Sequence, residues 1–408
     1  MTNLTSPDTL VIFAQALAGL GHLRVTDALY HGLPKGTHAV LLGSEDKNIT
    51  LIHNLTSRNV TLRRVVEYFE TGEPEDVFTA LYRWWLGSHT AGLALQLKTI
   101  LDRHPTTPKT VVVVATHFGL AHQFAAMKDT FQKEHHLRIY LFVVVTDDSP
   151  LHVWAVGGAD AIVVPSEHTR QLLEAYHGAA GLPATRYVTL PYMVSGRLAA
   201  PLSPHDWEAR MRQLTPASRA PLHIAVPVSG AAVQLGFLTD VIAGLSAADA
   251  RCMFHIVSKI SPATRGFLAA MSTRKNVELL TSSADREVVD LYEKLYEKEV
   301  IALEITKPSE QAFKALITPK QRGGAILLFS DPVGRQEKDN LNFLSRHGLL
   351  GRRAIRLPSD GKAAAMAVHT ARSQGVFSAM ATRTTLPNHP ELASDGVTKF
   401  WKMVEQTI

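Results

Sequence analysis

Ile305-Thr306-Lys307-Pro308-Ser309-Glu310-Gln311-Ala312-Phe313-Lys314-Ala315-Leu316, followed by Ala325-Ile326-Leu327-Leu328-Phe329 and Gly334-Arg335-Gln336-Glu337-Lys338-Asp339-Asn340, is the stretch around which the chain is organised. A strand ends at Lys307-Pro308-Ser309, because Pro308 offers no N–H to a ladder, and Ser309 is a residue type that caps helices. Backbone N–H groups and the positive end of a helix dipole then face outward, a place for an anion and for phosphate above all. The apolar run 325–329 forms a second buried strand. Its loop carries Gln336 and Glu337, both able to bind hydroxyls, ahead of a helix over 338–346. Phosphate donors beside hydroxyl acceptors suit a nucleotide-sugar.

The chain has 408 residues, 46% hydrophobic and 19% charged, enough apolar material for two cores. A net charge of +5 is too mild to argue for DNA or RNA, although it favours anionic membranes or nucleotides. A single cysteine, Cys252, excludes an internal disulfide and a Cys-based zinc cluster and fits a reducing compartment. With no leader-like start and no window apolar enough to span a bilayer, the expectation is a cytoplasmic protein, soluble or peripheral on the inner face of the cell membrane.

The order of elements is that of two α/β units. Residues 10–14 read as a strand, Gly19-Leu20-Gly21-His22 as a loop, and 23–33 as a helix, the usual first unit of a Rossmann-like sheet. Residues 40–42 and 61–64 add strand or loop material. Residues 75–103 read as helical, and Arg83-Trp84-Trp85 within them fits either a membrane interface or packing on the sheet. The runs 110–115, 139–145 and 161–164 read as buried parallel strands, with His117 and Asp147 in the loops that follow two of them. Each of these loop residues is also explained as an ordinary hydrogen-bonded loop side chain, and for His117 and His152 taken singly that is the preferred reading. Ser166 caps a helix. Residues 201–220, rich in Pro, Ser and Arg, read as a linker with a short helix over 207–214. The second half starts over with a strand at 222–228, the small-residue turn Ser229-Gly230-Ala231-Ala232 and a helix over 233–245. The expected layout is residues 1–200 as one domain, 221–390 as the second, and an amphipathic tail 391–408 packing back on the first.

The series Gly19-Leu20-Gly21-His22, Thr146-Asp147 with His152 and Trp154, Pro165-Ser166-Glu167, Leu190-Pro191, Ser229-Gly230, Lys307-Pro308 and Gln336-Glu337 with Asn340 resembles the monogalactosyldiacylglycerol synthase and processive diacylglycerol glucosyltransferase family. More distantly it is similar to MurG. The likeness rests on the order and spacing of all these pieces. It implies an α/β GT-B fold, two Rossmann-like lobes with an interdomain cleft. It further implies a UDP-sugar donor held by the second lobe, a lipid or other hydroxyl acceptor at the first, inversion, and no cofactor or metal. By position, His22 on the Gly19/Gly21 loop serves as base or acceptor ligand. Ser229, Gly230 and the Lys307, Pro308, Ser309, Glu310 turn hold the diphosphate, while Gln336 and Glu337 bind sugar hydroxyls with Asn340 supporting their loop. The chain departs from the family where two glycines follow Lys-Pro, having Ser309-Glu310 instead. It also places Lys314 where the family carries a ribose-gripping glutamate, so either Glu310 takes that role or donor binding is altered. A sugar-nucleotide epimerase and a non-catalytic nucleotide- or partner-binding relative are the alternatives.

Overall fold

The computed structural model describes residues 3–15, 20–43 and 73–408, so Gly19 and the 61–64 stretch lie outside the described residues. Two compact units divide the chain: Met1–Ala18, His22–Met193 and Asp395–Ile408 form the first, Gly19–Gly21 and Val194–Ser394 the second.

The first unit is a six-stranded sheet of β1 (Thr9–Gln15), β2 (His38–Gly43), β3 (Thr110–Ala115), β4 (Arg138–Val144), β5 (Ala161–Val164) and β6 (Tyr187–Thr189), in the order β2-β1-β3-β4-β5-β6. Every pair is parallel. Parallel strands need crossovers, and crossover helices cover both faces; this is why β3 reads Thr-Val-Val-Val-Val-Ala with Val111 to Val114 wholly buried. The second unit repeats the plan with β7 (Leu222–Pro227), β8 (Cys252–Lys259), β9 (Val277–Ser282), β10 (Leu303–Thr306), β11 (Ile326–Phe329) and β12 (Ala354–Arg356), ordered β12-β11-β10-β7-β8-β9. Both units are therefore Rossmann-like.

Several boundaries differ from the sequence reading. The first helix runs Leu20–His31, so Gly21 and His22 occupy its opening turn rather than a preceding loop. Leu20 and Leu23, at the start of that helix, are both buried. Residues 75–103 form two helices, Glu73–Ser88 and Ala91–Arg103; the His89 ring donates to Trp85 O at 2.8 Å where the first one ends. Residues 201–220, read as a linker, are part of the second unit. The helix Pro204–Leu214 is capped by Ser203, and the buried Arg210 donates to the carbonyls of Ile301, Pro319, Gln321 and Arg322. Composition carries no sign of those carbonyl partners. The helix Glu167–Ala179 is capped as expected, Ser166 Oγ accepting from Thr169 N at 3.1 Å.

The last helix, Gly396–Thr407, belongs to the first unit and buries Val397, Phe400, Trp401, Met403 and Val404. Trp401 Nε1 donates to Leu29 O at 2.9 Å, and its ring meets Phe13 edge-on. A Cβ on Gly396 would stand 2.1 Å from Pro191 O, so only glycine lets the helix start so near that backbone. Truncating the buried indole in Trp401→Ala should lower stability by about 3–5 kcal/mol, read as a fall in the denaturant midpoint; an unchanged midpoint would mean that this helix is not part of the folded first unit.

Candidate functional site

In open parallel sheets, ligands bind beyond the carboxyl ends of the strands where the strand order reverses. That point lies between β1 and β3 in the first sheet and between β7 and β10 in the second. His22, His117, Ser229, Gly230 and the Lys307 to Glu310 turn fall in the segments that follow these four strands, Gln336, Glu337 and Asn340 in the one after β11, and Asp147 and His152 in the one after β4.

In the first unit, His22 follows β1. Its Nδ1–H donates to Thr116 O, just past β3, at 2.6 Å. In the neutral ring that bond sets the tautomer, with the proton on Nδ1 and the lone pair on Nε2, the one a proton acceptor needs. Thr26 stiffens the arrangement: its hydroxyl donates to His22 O at 2.8 Å and meets Thr116 Oγ1 at 2.8 Å. The rings of His117 and Trp154 stand 5.4 and 6.3 Å from that of His22. His117 itself is buried at the start of the helix Phe118–His135 and stacks on Phe118. Asp148 is buried and accepts from Ser166 Oγ and Thr169 Oγ1, while His152 pairs with Asp76 at 2.6 Å and stacks on Tyr176.

In the second unit, the segment after β7 is the most constrained backbone of the site. Ala232 and Gln234 both adopt left-handed φ, +52° and +61°, at a cost of about 1–3 kcal/mol each for L-residues. Gln234 is held there by its side chain: Nε2 donates to Asp331 O at 2.8 Å and Oε1 accepts from Ser330 Oγ at 2.6 Å, joining this loop to the one after β11. The fourteen-residue helix Leu235–Ala248 then opens with no side-chain cap and no acid in its first turn. Its positive end is thus left uncompensated by side chains. Beside it in sequence, Ser229 Oγ is buried with no hydrogen-bond partner among the described residues, and Gly230 is exposed in the turn. A buried, unanswered hydroxyl next to an uncapped helix start is suited to an anion.

The stretch after β10 departs from the expectation. Glu310–Leu316 is a seven-residue 3-10 helix, and Ser309 makes no side-chain cap bond. The cause lies behind it: Gln311 to Leu316 are all buried, which clamps the segment flat against the sheet. Lys314 gives its three protons to Glu304 Oε2 (2.5 Å), Tyr292 Oη (2.5 Å) and Tyr296 Oη (2.7 Å). Burial, and then the Glu304 charge, push the Tyr296 phenol well above its ordinary pKa. Lys314 therefore anchors the fold where the family resemblance placed a ribose ligand. Lys307 is paired with Glu337, whose other oxygen accepts from Val333 N at 2.7 Å. Glu337 is thereby committed to loop structure rather than offered to a sugar. Asn340, 0% exposed, donates to Pro308 O at 3.3 Å and so steadies the Pro308 turn. Gln336 is exposed at the start of the helix Arg335–Arg346, which Gly334 opens at φ +101°, a value that favours glycine.

Sequence reasoning passed over Gln234, Thr116 and Thr26, because each acts through a partner remote in sequence. It also left open which way Arg83-Trp84-Trp85 faces. Arg83 donates to Tyr176 Oη at 3.0 Å and Trp85 stacks on Tyr82. Trp84, 72% exposed, lies instead with Val77, Phe78 and Leu81 on one outward face of Glu73–Ser88.

No family model matches the chain, and no curated protein sequence matches it. Solved structures do. The Staphylococcus aureus MnaA–UDP co-structure is 10% identical over 98% of this chain and 97% of that one, with a TM-score of 0.51. A UDP-N-acetylglucosamine 2-epimerase is 9% identical over 98% and 96%, with a TM-score of 0.50. Arabidopsis thaliana UGT89C1 complexed with UDP-L-rhamnose is 11% identical over 98% of each chain, also with a TM-score of 0.50. At such identities the likeness is one of fold. The two Rossmann-like units are those of the GT-B fold, to which both UDP-sugar glycosyltransferases and UDP-N-acetylglucosamine 2-epimerases belong.

The Lys314 cluster yields a direct expectation. Lys314→Met leaves Glu304 as a buried, uncompensated charge and should cost about 3–5 kcal/mol. Adding Glu304→Leu should recover much of that loss in the denaturant midpoint, and a double variant no better than the single would refute the pairing.

Proposed function

We propose that this chain is a glycosyltransferase that moves a hexosyl group from a UDP-sugar to a hydroxyl acceptor, with inversion. The observation that carries the proposal is the loop after β7, where the orphaned Ser229 hydroxyl, the strained Ala232 and Gln234 and the uncapped helix start combine. Oriented N–H groups and a hydroxyl stabilise the charge that gathers on a departing diphosphate. In the first unit, His22 Nε2 takes the proton of the acceptor hydroxyl. The acceptor oxygen bonds to the sugar C1 as the C1–O bond to the diphosphate breaks, and UDP leaves. One base and one direct displacement give inversion.

The epimerase alternative calls for carboxylates at the sugar ring. Glu337, Glu304 and Asp148 are each tied to structural partners, which favours the transferase. Ser309-Glu310 bears on the site differently from what the family pattern implies. Because that segment is a short 3-10 helix, the diphosphate belongs on the β7 loop, and a carboxylate at 310 is tolerable there. A lipid acceptor is supported by the exposed face Val77, Phe78, Leu81 and Trp84, with the spacing and residue types of a helix lying in a membrane interface. On this reading the protein works as a peripheral enzyme at a cytoplasmic membrane surface.

Transfer from UDP-glucose or UDP-galactose to a lipid extract tests the reaction. His22→Ala should lower the rate by about 100-fold or more while leaving UDP affinity unchanged; a large loss of UDP affinity with the rate preserved would remove His22 from its role. In vesicle flotation, Leu81→Glu with Trp84→Glu should abolish association with anionic lipid and leave the fold intact, and undiminished flotation would discard the face as an anchor.

A further inference from the structure

A second cluster in the second unit plays no part in the reaction above. His347 is the residue on which the helix Arg335–Arg346 ends, its N–H bonding Phe343 O at 3.2 Å, so it sits at the negative end of a helix dipole. Its Nε2 lies 2.9 Å from Glu391 Oε2, in a pair whose side chains are 11% and 8% exposed. The exposed His389 opens the 3-10 turn Pro390–Leu392, and its ring centre stands 4.6 Å from that of His347. One ligand atom from each of the three residues lies within 4.8 Å of the others.

We propose that His347, His389 and Glu391 bind a divalent transition metal, Zn2+ by their chemistry, and that the ion staples the 382–394 segment to the end of the helix Arg335–Arg346. Two imidazoles and a carboxylate are a ligand set that zinc takes, with water at the fourth position. With Zn–N near 2.0–2.1 Å, tetrahedral ligand atoms are about 3.4 Å apart. The buried His347–Glu391 pair, at 2.9 Å, is about half an ångström inside that spacing, and the His389 ligand atom, within 4.8 Å of the other two, has at most about 1.4 Å to travel. Pro390 limits how far the turn itself deforms. On binding, the neutral His347 ring takes the tautomer with its proton on Nδ1, so that Nε2 faces the ion in place of Glu391, and two Zn–N bonds and one Zn–O bond form as three waters of the hydrated ion leave. The other half of the same helix carries Glu337 and Asn340, so the staple steadies the element that holds the Pro308 turn. Sequence reading missed the site because its ligands are 44 residues apart and follow no metal-motif spacing.

The test is a Co2+ and Zn2+ titration of the untagged, chelator-stripped full chain. One equivalent of Co2+ should give the visible bands of a tetrahedral site with nitrogen and oxygen ligands, and Zn2+ should raise the melting midpoint. Both effects should weaken at least tenfold in metal affinity for His389→Gln and stay intact for His205→Gln, a control at an exposed histidine elsewhere. An octahedral spectrum in the unmodified chain, or equal affinity in His389→Gln and the parent, would overturn the proposal. The spectrum of the unmodified chain decides the matter even if a variant fails to fold.

Discussion

Every strand pair recorded in the two sheets is parallel, and that single constraint arranges the rest of the molecule. Parallel pairing forces each connection across a face, so all the segments after the strands collect at one edge of each sheet. Within that edge, the reversal of strand order leaves a gap between the crossovers on either side. His22 and Thr116 flank it in the first unit, and the Ser229 and Lys307 segments flank it in the second. The chemistry is therefore placed by topology before any particular side chain is considered.

What the side chains add is a division of labour. Charged groups near the second gap are mostly spent on holding it: Lys307 on Glu337, and Lys314 on Glu304 with two tyrosines. The groups left to meet a ligand are backbone and hydroxyl, in the loop that Gln234 pins in a strained form. Such a loop keeps its shape without the ligand, so little ordering is required when an anion arrives. The strain at Ala232 and Gln234 is offset by the two Gln234 hydrogen bonds and by the helix that follows.

The architecture was largely legible in the sequence because buried parallel strands advertise themselves: 110–115 and 161–164 are β3 and β5 to the residue. The helix Asp285–Lys298 carries the strongly amphipathic pattern of a one-sided cover. Short or sparsely apolar elements escaped, among them β12 and the helix Arg265–Ser272. Local signals misled where a remote partner decides the outcome. Pro308-Ser309 has the chemistry of a helix start, yet burial of the next residues and the Lys314 cluster hold a 3-10 turn there. The 201–220 region has the composition of a linker, yet Arg210 makes it structural. The family resemblance draws attention to Ser229 and Gly230; Gln234, which shapes their loop, carries no such signal, since its partners follow a different strand.

The account comes down to whether the β7 loop grips a diphosphate. Calorimetric titration of the full chain with UDP and, separately, with uridine measures that most directly. The account predicts saturable UDP binding and at least tenfold weaker uridine binding, with Ser229→Ala narrowing the gap. Equal affinities for the two, or no heat from UDP at millimolar concentration, would contradict it.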